Sequence, residues 1–270
     1  MIQLKTSCPS RTTAADVSSH DVSIPRISMR QSIPLYTRLV IAFFPSKEIL
    51  VAIGPVLVHW YGIMYAIAFL FGMWMFPKLL KIARIDMSAK DRETFVLWVF
   101  LGVLFGGRLG FVLFYGGSYF FDHPEKVLAV WEGGMSSHGG FIGVFLALLI
   151  FSYRKHIDIF RLGDVLVIPA AVGLALGRLG NLINGELYGT VTTLPWGMSF
   201  PGAEGIRHPT QLYAFLKDIL IALTCFVHLS DFTTTQAQSG RTAGCFLVMY
   251  ATFRFVVEIF REQPYGFVHV

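Results

Sequence analysis

Residues 177–189 read Gly-Arg-Leu-Gly-Asn-Leu-Ile-Asn-Gly-Glu-Leu-Tyr-Gly and close an apolar run that begins near Leu162. The run thus sets a guanidinium (Arg178), two carboxamides (Asn181, Asn184) and a carboxylate (Glu186) at or inside a hydrocarbon-like layer. A charge at the centre of a membrane helix costs roughly 2.5 to 3.5 kcal/mol, and the default reading of such a group is function. Arg108 and Arg254 interrupt other apolar runs, and Glu258 follows Arg254 at the i, i+4 spacing of an ion pair on one helix face. His138 stands in Ser-Ser-His-Gly-Gly, where Gly139 and Gly140 leave room for a substrate beside the ring.

These residue types suggest a chemistry. Guanidinium matches phosphate bidentately, stays charged, and is less strongly hydrated than ammonium. A set of arginines open sideways to lipid therefore suits an anionic phospholipid headgroup. Imidazole is the side chain most easily poised to carry a proton near neutrality, which makes His138 the natural base. Plainer roles stay open for each: Arg254 paired with Glu258, an arginine snorkelling to the interface, a histidine that is only hydrogen-bonded.

The elements that must position these groups are membrane helices. The 270 residues are 54% hydrophobic and only 14% charged, with a mean hydropathy of +0.59; soluble domains carry about 25% charged residues. Six stretches approach the roughly 20 residues that span a bilayer: 56–80, 93–116, 137–153, 162–184, 211–230 and 242–261. Lys78, Lys81, Arg84, Lys90 and Arg92 lie between the first two, and Arg154, Lys155 and Arg161 between the third and fourth. The positive-inside bias makes these loops cytoplasmic and puts the N-terminus outside. The second, fourth and sixth segments then climb outward, each with an arginine about 15 residues from its start, so Arg108, Arg178 and Arg254 reach a similar depth after roughly 22 Å. Gly102, Gly106, Gly107 and Gly110, with Gly173, Gly177 and Gly180, include the small-xxx-small spacings that let helices approach closely.

Other readings lose support. The net charge of +5 comes mostly from residues 1–47, where six Lys or Arg face two Asp, so the basic balance belongs to a tail rather than to a nucleic-acid groove. That Ser-, Thr- and Arg-rich stretch, taken as 1–42, reads as a disordered or spurious extension ahead of a membrane domain at 43–270. Cys8, Cys225 and Cys245 have neither metal-ligand nor disulfide-framework spacing. No zinc-protease helix, nucleophile elbow or phosphate loop occurs. A small-solute transporter would place pathway charges on both sides of the midplane, whereas these polar groups crowd one leaflet.

An ordered series of motifs carries a resemblance. His59-Trp60-Tyr61-Gly62, Gly106-Gly107-Arg108-Leu109-Gly110, Trp131 to Ser136, His138-Gly139-Gly140, Gly177 to Gly189, Arg207 to Tyr213 and Arg254 to Arg261 follow one another as in the bacterial prolipoprotein diacylglyceryl transferases, which the chain resembles over about residues 43–262. The resemblance implies an all-α, multi-pass enzyme of the bacterial inner membrane that moves the diacylglyceryl group of phosphatidylglycerol onto the lipobox cysteine of a prolipoprotein. It implies no metal or dissociable cofactor, and a monomer is expected. Residue by residue, it places His138, Arg254 and Tyr61 in the catalytic set and Arg178, Asn181, Arg108, Asn184, Glu186 and Gly189 around phosphatidylglycerol, with Glu258 and Arg261 as a structural ion pair.

The chain departs from the family pattern in four ways. A seventh helix is expected of the family, and this chain ends nine residues after Arg261. The loop between the fourth and fifth segments is short. Thr190 stands where arginine is common and Ala214 where glutamate is. The alternative that follows is a truncated, inactive relative that still binds lipid.

Overall fold

The computed structural model describes residues 49–53, 56–130, 133–231 and 239–262, so the 1–42 extension lies outside the described residues. An antiparallel hairpin, β1 (Ile49–Ile53) and β2 (Val56–His59), leads directly into the first long helix. Among the described residues, six helices are long and apolar enough to cross a membrane: α1 (Trp60–Ile82), α2 (Ala89–Tyr115), α4 (Ser137–Lys155), α5 (Ile159–Asn184), α6 (Thr210–Asp231) and α7 (Arg241–Ile259). The short α3 (Tyr119–Asp122) lies in the loop between α2 and α4. The fold class expected from sequence is therefore the one observed, a polytopic helix bundle. The hairpin was not expected, because residues 56–59 read as the start of an unbroken apolar span.

Local chemistry sets the helix ends. Ser88 Oγ accepts the Asp91 N–H at 3.1 Å to start α2, Ser136 Oγ accepts the Gly139 N–H at 3.3 Å to start α4, and Asp158 accepts the Phe160 N–H at 2.8 Å to start α5. Each satisfies one of the donors a helix N-terminus leaves free. Gly185, at φ 70°, ends α5 in the left-handed conformation that favours glycine. Large apolar side chains such as Leu113, Phe114, Leu247 and Phe255 are exposed on the long helices, a pattern that suits lipid rather than water around the bundle.

The two ends of the bundle differ. At the basic end, Lys155 pairs with Asp91 at 2.6 Å, and Arg161 donates to the Ala83 and Arg84 carbonyls at 2.6 and 3.2 Å, which locks the α4–α5 turn to the α1–α2 turn. Asp164 on α5 joins the third turn to them: its carboxylate accepts the N–H groups of Gly240 and Ala243 at 2.8 and 2.7 Å and so caps α7 from another helix. The apolar core sits beneath these ties, built around Phe95, which stacks on Phe76 and meets Phe151 edge to face, with Leu79, Leu162 and Ile221. The opposite end is left to polar groups.

Helices α2 and α4 touch backbone to backbone. A methyl group on Gly139 would collide with the Gly106 carbonyl, and one on Gly143 with the Gly102 carbonyl. The α5 glycines do a different job: Gly173 and Gly180 seat Ala68 and Tyr61 of α1. Gly143→Ala is expected to destabilise the protein by about 1–3 kcal/mol through overpacking. Gly244→Ala on α7 meets open space and is expected to be neutral or to gain up to about 1 kcal/mol. Thermal unfolding of the detergent-solubilised variants distinguishes the two; equal midpoints would contradict the packing account.

Candidate functional site

A hollow opens at the polar end where α5, α6 and α7 converge. Helix α5 supplies Arg178 and Asn181, the first turns of α6 supply Thr210, Gln211 and Ala214, and α7 with the residues after it supplies Arg254, Val257 and Arg261; Leu187 closes one side. Arg178 Nη1 is 3.5 Å from Asn181 Oδ1, and among the described residues no carboxylate lies within ion-pair distance of it. Arg254 Nη2 sits 2.6 Å from Glu258 Oε2, and Arg261 Nη1 lies 3.7 Å from the same oxygen. Burial pulls the Arg261 guanidinium below its usual range and Glu258 opposes that shift, but arginine keeps its proton at any working pH. Three cations and one carboxylate leave the hollow short of negative charge.

The loop between α5 and α6 holds this arrangement in place. Gly189 donates to the His208 carbonyl at 2.8 Å and forms an isolated antiparallel bridge with Arg261, while Thr190 N–H donates to the Phe260 carbonyl at 2.9 Å. A Cβ at Gly189 would overlap Phe260 O, His208 Cβ and Thr210 Cγ2, so only glycine permits the approach. Arg207 pairs with Glu262 at 2.7 Å and lies over the Tyr188 ring. Trp196 Nε1 donates to Tyr213 OH at 2.8 Å. The chain leaving α7 is thereby stitched to the loop, and Arg261 is carried into the hollow by its backbone.

A second network abuts the first. Tyr61 OH donates to Glu186 Oε2 at 3.3 Å and Asn184 Nδ2 to Oε1 at 2.9 Å. The Glu186 main chain connects the two groups, since its N–H donates to the Asn181 carbonyl and its carbonyl accepts from Gln211 Nε2 at 2.5 Å. Tyr61, Asn181, Asn184, Glu186, Gly189, Arg178, Arg254, Glu258 and Arg261 are thus gathered at one end of α1, α5 and α7.

Arg108 and His138 stand apart. The expectation that Arg108 shares the arginine hollow is corrected: its guanidinium is buried on α2 and donates to the carbonyls of Val127 (3.0 Å), Lys126 (2.6 Å), Gly133 (2.5 Å) and Gly134 (3.3 Å). Those bonds occupy four of its five N–H donors and pin the α2–α4 loop. Among the described residues His138 makes no hydrogen bond; it is exposed in the first turn of α4 and does not line the hollow.

Sequence reading missed two features. Arg261, taken as an ion-pair partner only, lines the hollow with the other cations. Lys217 and Asp218 on α6 form a buried ion pair, with the Lys217 ammonium over the Tyr250 ring at 4.4 Å and within electrostatic reach of Arg178 and Arg254. Two adjacent charges inside an apolar run were the available signal for it.

Fold and site together define a polytopic membrane protein with a cation-lined hollow at one end of its bundle. Residues 48–270 match the model of the family described as prolipoprotein diacylglyceryl transferase. The chain is 40% identical over 224 residues to a phosphatidylglycerol–prolipoprotein diacylglyceryl transferase of Rhodospirillum centenum, covering 81% of both chains. It is 42% identical over 223 residues to one of Bordetella avium (81% and 83% covered) and 43% over 226 residues to one of Aliivibrio salmonicida (81% and 77%). The chain belongs to the prolipoprotein diacylglyceryl transferase family.

Two predictions separate structural cations from binding ones. Arg108→Ala should loosen the 126–134 loop, seen as faster limited proteolysis there, while phosphatidylglycerol retention stays unchanged. Lys217→Met alone strands the Asp218 carboxylate and should cost about 3–5 kcal/mol, whereas Lys217→Met with Asp218→Leu should recover most of that loss. A double-mutant cycle on unfolding midpoints checks the second.

Proposed function

We propose that the chain transfers the diacylglyceryl group of phosphatidylglycerol to the lipobox cysteine thiol of a prolipoprotein at the outer face of the bacterial inner membrane. The observation that carries this reading is the hollow where Arg178, Arg254 and Arg261 meet with Glu258 as their nearby counter-charge. Its excess of positive charge suits one phosphodiester anion. The charge of the basic turns supports a cytoplasmic position for that end of the bundle and, with it, an outer-leaflet position for the hollow.

The reaction follows from the chemistry of its parts. A cysteine thiol must lose its proton to attack carbon; His138, exposed at the start of α4, takes it. The thiolate sulfur bonds to the glyceryl carbon as that carbon's bond to the phosphate oxygen breaks, and the electron pair leaves on glycerol phosphate. Negative charge gathers on the departing phosphate, so Arg178 and Arg254 lower the barrier by stabilising that charge more than the ground state. Tyr61, Asn184 and Glu186 fix the wall beside Arg178. Asn181 keeps the Arg178 guanidinium oriented, and Gly189 allows the loop to close over the site.

Arg178→Ala is expected to lower transfer of a labelled diacylglyceryl group to a lipobox peptide by at least ~100-fold, the usual scale for losing one such donor. Near-normal turnover would remove Arg178 from the mechanism. Complementation of a transferase-depleted bacterium by the unaltered chain tests the activity itself.

A further inference from the structure

Most groups lining the hollow are accounted for. The arginines are donors, Asn181 Oδ1 faces Arg178, and the Thr210 hydroxyl donates to the Leu187 carbonyl at 2.7 Å. Gln211 is the exception. Its side chain is 2% exposed, and its Nε2 is committed to the Glu186 carbonyl at 2.5 Å, which fixes which end of the amide is which. A reversed amide would set two acceptors against each other. Its Oε1 is buried with no hydrogen-bond partner. Buried acceptors are almost always satisfied, so an orphan at a binding site calls for a donor supplied from outside.

The phosphate cannot be that donor. A phosphodiester offers only acceptors, and the arginines take those. Resting on the substrate reading above, we propose that Gln211 is a specificity-determining residue whose Oε1 accepts a hydrogen bond from a hydroxyl of the lipid's polar alcohol. It thereby selects a polyol headgroup over one without hydroxyls. The neighbouring elements agree with this. Gln211 shares the hollow with the three guanidiniums and stands in the first turn of α6, beside the loop end and away from the apolar core, where the hydrophilic end of a lipid belongs. A site built to bond a hydroxyl discriminates against an analogue that lacks it, because the buried partner is then left unpaired.

The test compares two lipids with the same acyl chains, phosphatidylglycerol and phosphatidylethanol, which share the phosphodiester and differ in the headgroup, a glycerol with two free hydroxyls against a shorter ethyl group with none. The full chain in detergent transfers each to a lipobox peptide, read by gel shift. The unaltered protein is expected to prefer phosphatidylglycerol by about tenfold or more, the scale of one hydrogen bond. Gln211→Met, of similar length and without the acceptor, should bring that ratio towards unity by slowing phosphatidylglycerol more than phosphatidylethanol. A purely structural role would slow both lipids alike, and an unchanged ratio in Gln211→Met overturns the proposal. Should Gln211→Met be too unstable to turn over, its competition binding of glycerol phosphate against ethyl phosphate reads the same ratio, and a preserved preference there overturns it equally. Absence of transfer from either lipid by the unaltered chain counts instead against the transferase reading.

Discussion

Like charges brought together at low dielectric repel strongly, and the polar end of this bundle is organised around managing that repulsion. Glu258 lies within ion-pair distance of both Arg254 and Arg261, one helical turn from the first and three residues before the second. Arg178, across the hollow on α5, has only a carboxamide. The excess of positive charge is tolerable because the helices are anchored elsewhere. The apolar core, the tied basic turns and the Asp164 cap on α7 all lie at the far end. Stability is concentrated at that far end, and the polar end is left with more positive than negative charge.

The loop between α5 and α6 sets this electrostatic arrangement. Its backbone pairs with residues 260–262, so Arg261 is delivered as part of a small β-like seam and not by a flexible side chain reaching in from solvent. Gly189 is the point at which that seam requires a residue without a side chain. The Tyr61–Glu186–Asn184 network ties the same loop to α1, so three helices and one loop share a single rigid wall.

How much of this was legible in the sequence depends on whether local counting was enough. Helix period and rise put Arg178 and Arg254 at one depth because each travels on its own helix, and the structure finds both in one hollow. The same count failed for Arg108, since depth says nothing of what a returning loop does; four carbonyls between residues 126 and 134 intercept the guanidinium first. The family was readable from the order of its motifs. The hairpin ahead of α1 was not, because a run of apolar residues looks alike as strand or helix over four residues. Nor was the Lys217–Asp218 pair foreseen, because adjacent residues point to different sides of a helix and only the α6–α7 packing, with Tyr250, folds the lysine back.

The glycine contact between α2 and α4 has a mechanical meaning. Two backbones in direct contact have no intervening side chains whose rotamers could accommodate gradual sliding, so these helices shift together or not at all. Their seams with α1 and α5 are thinly packed by comparison. A bulky two-tailed guest entering sideways would meet less resistance along those seams than between α2 and α4. Because His138 rides on the fused pair and Arg178 on the opposite body, passage of such a guest would also set the separation of that imidazole and that guanidinium.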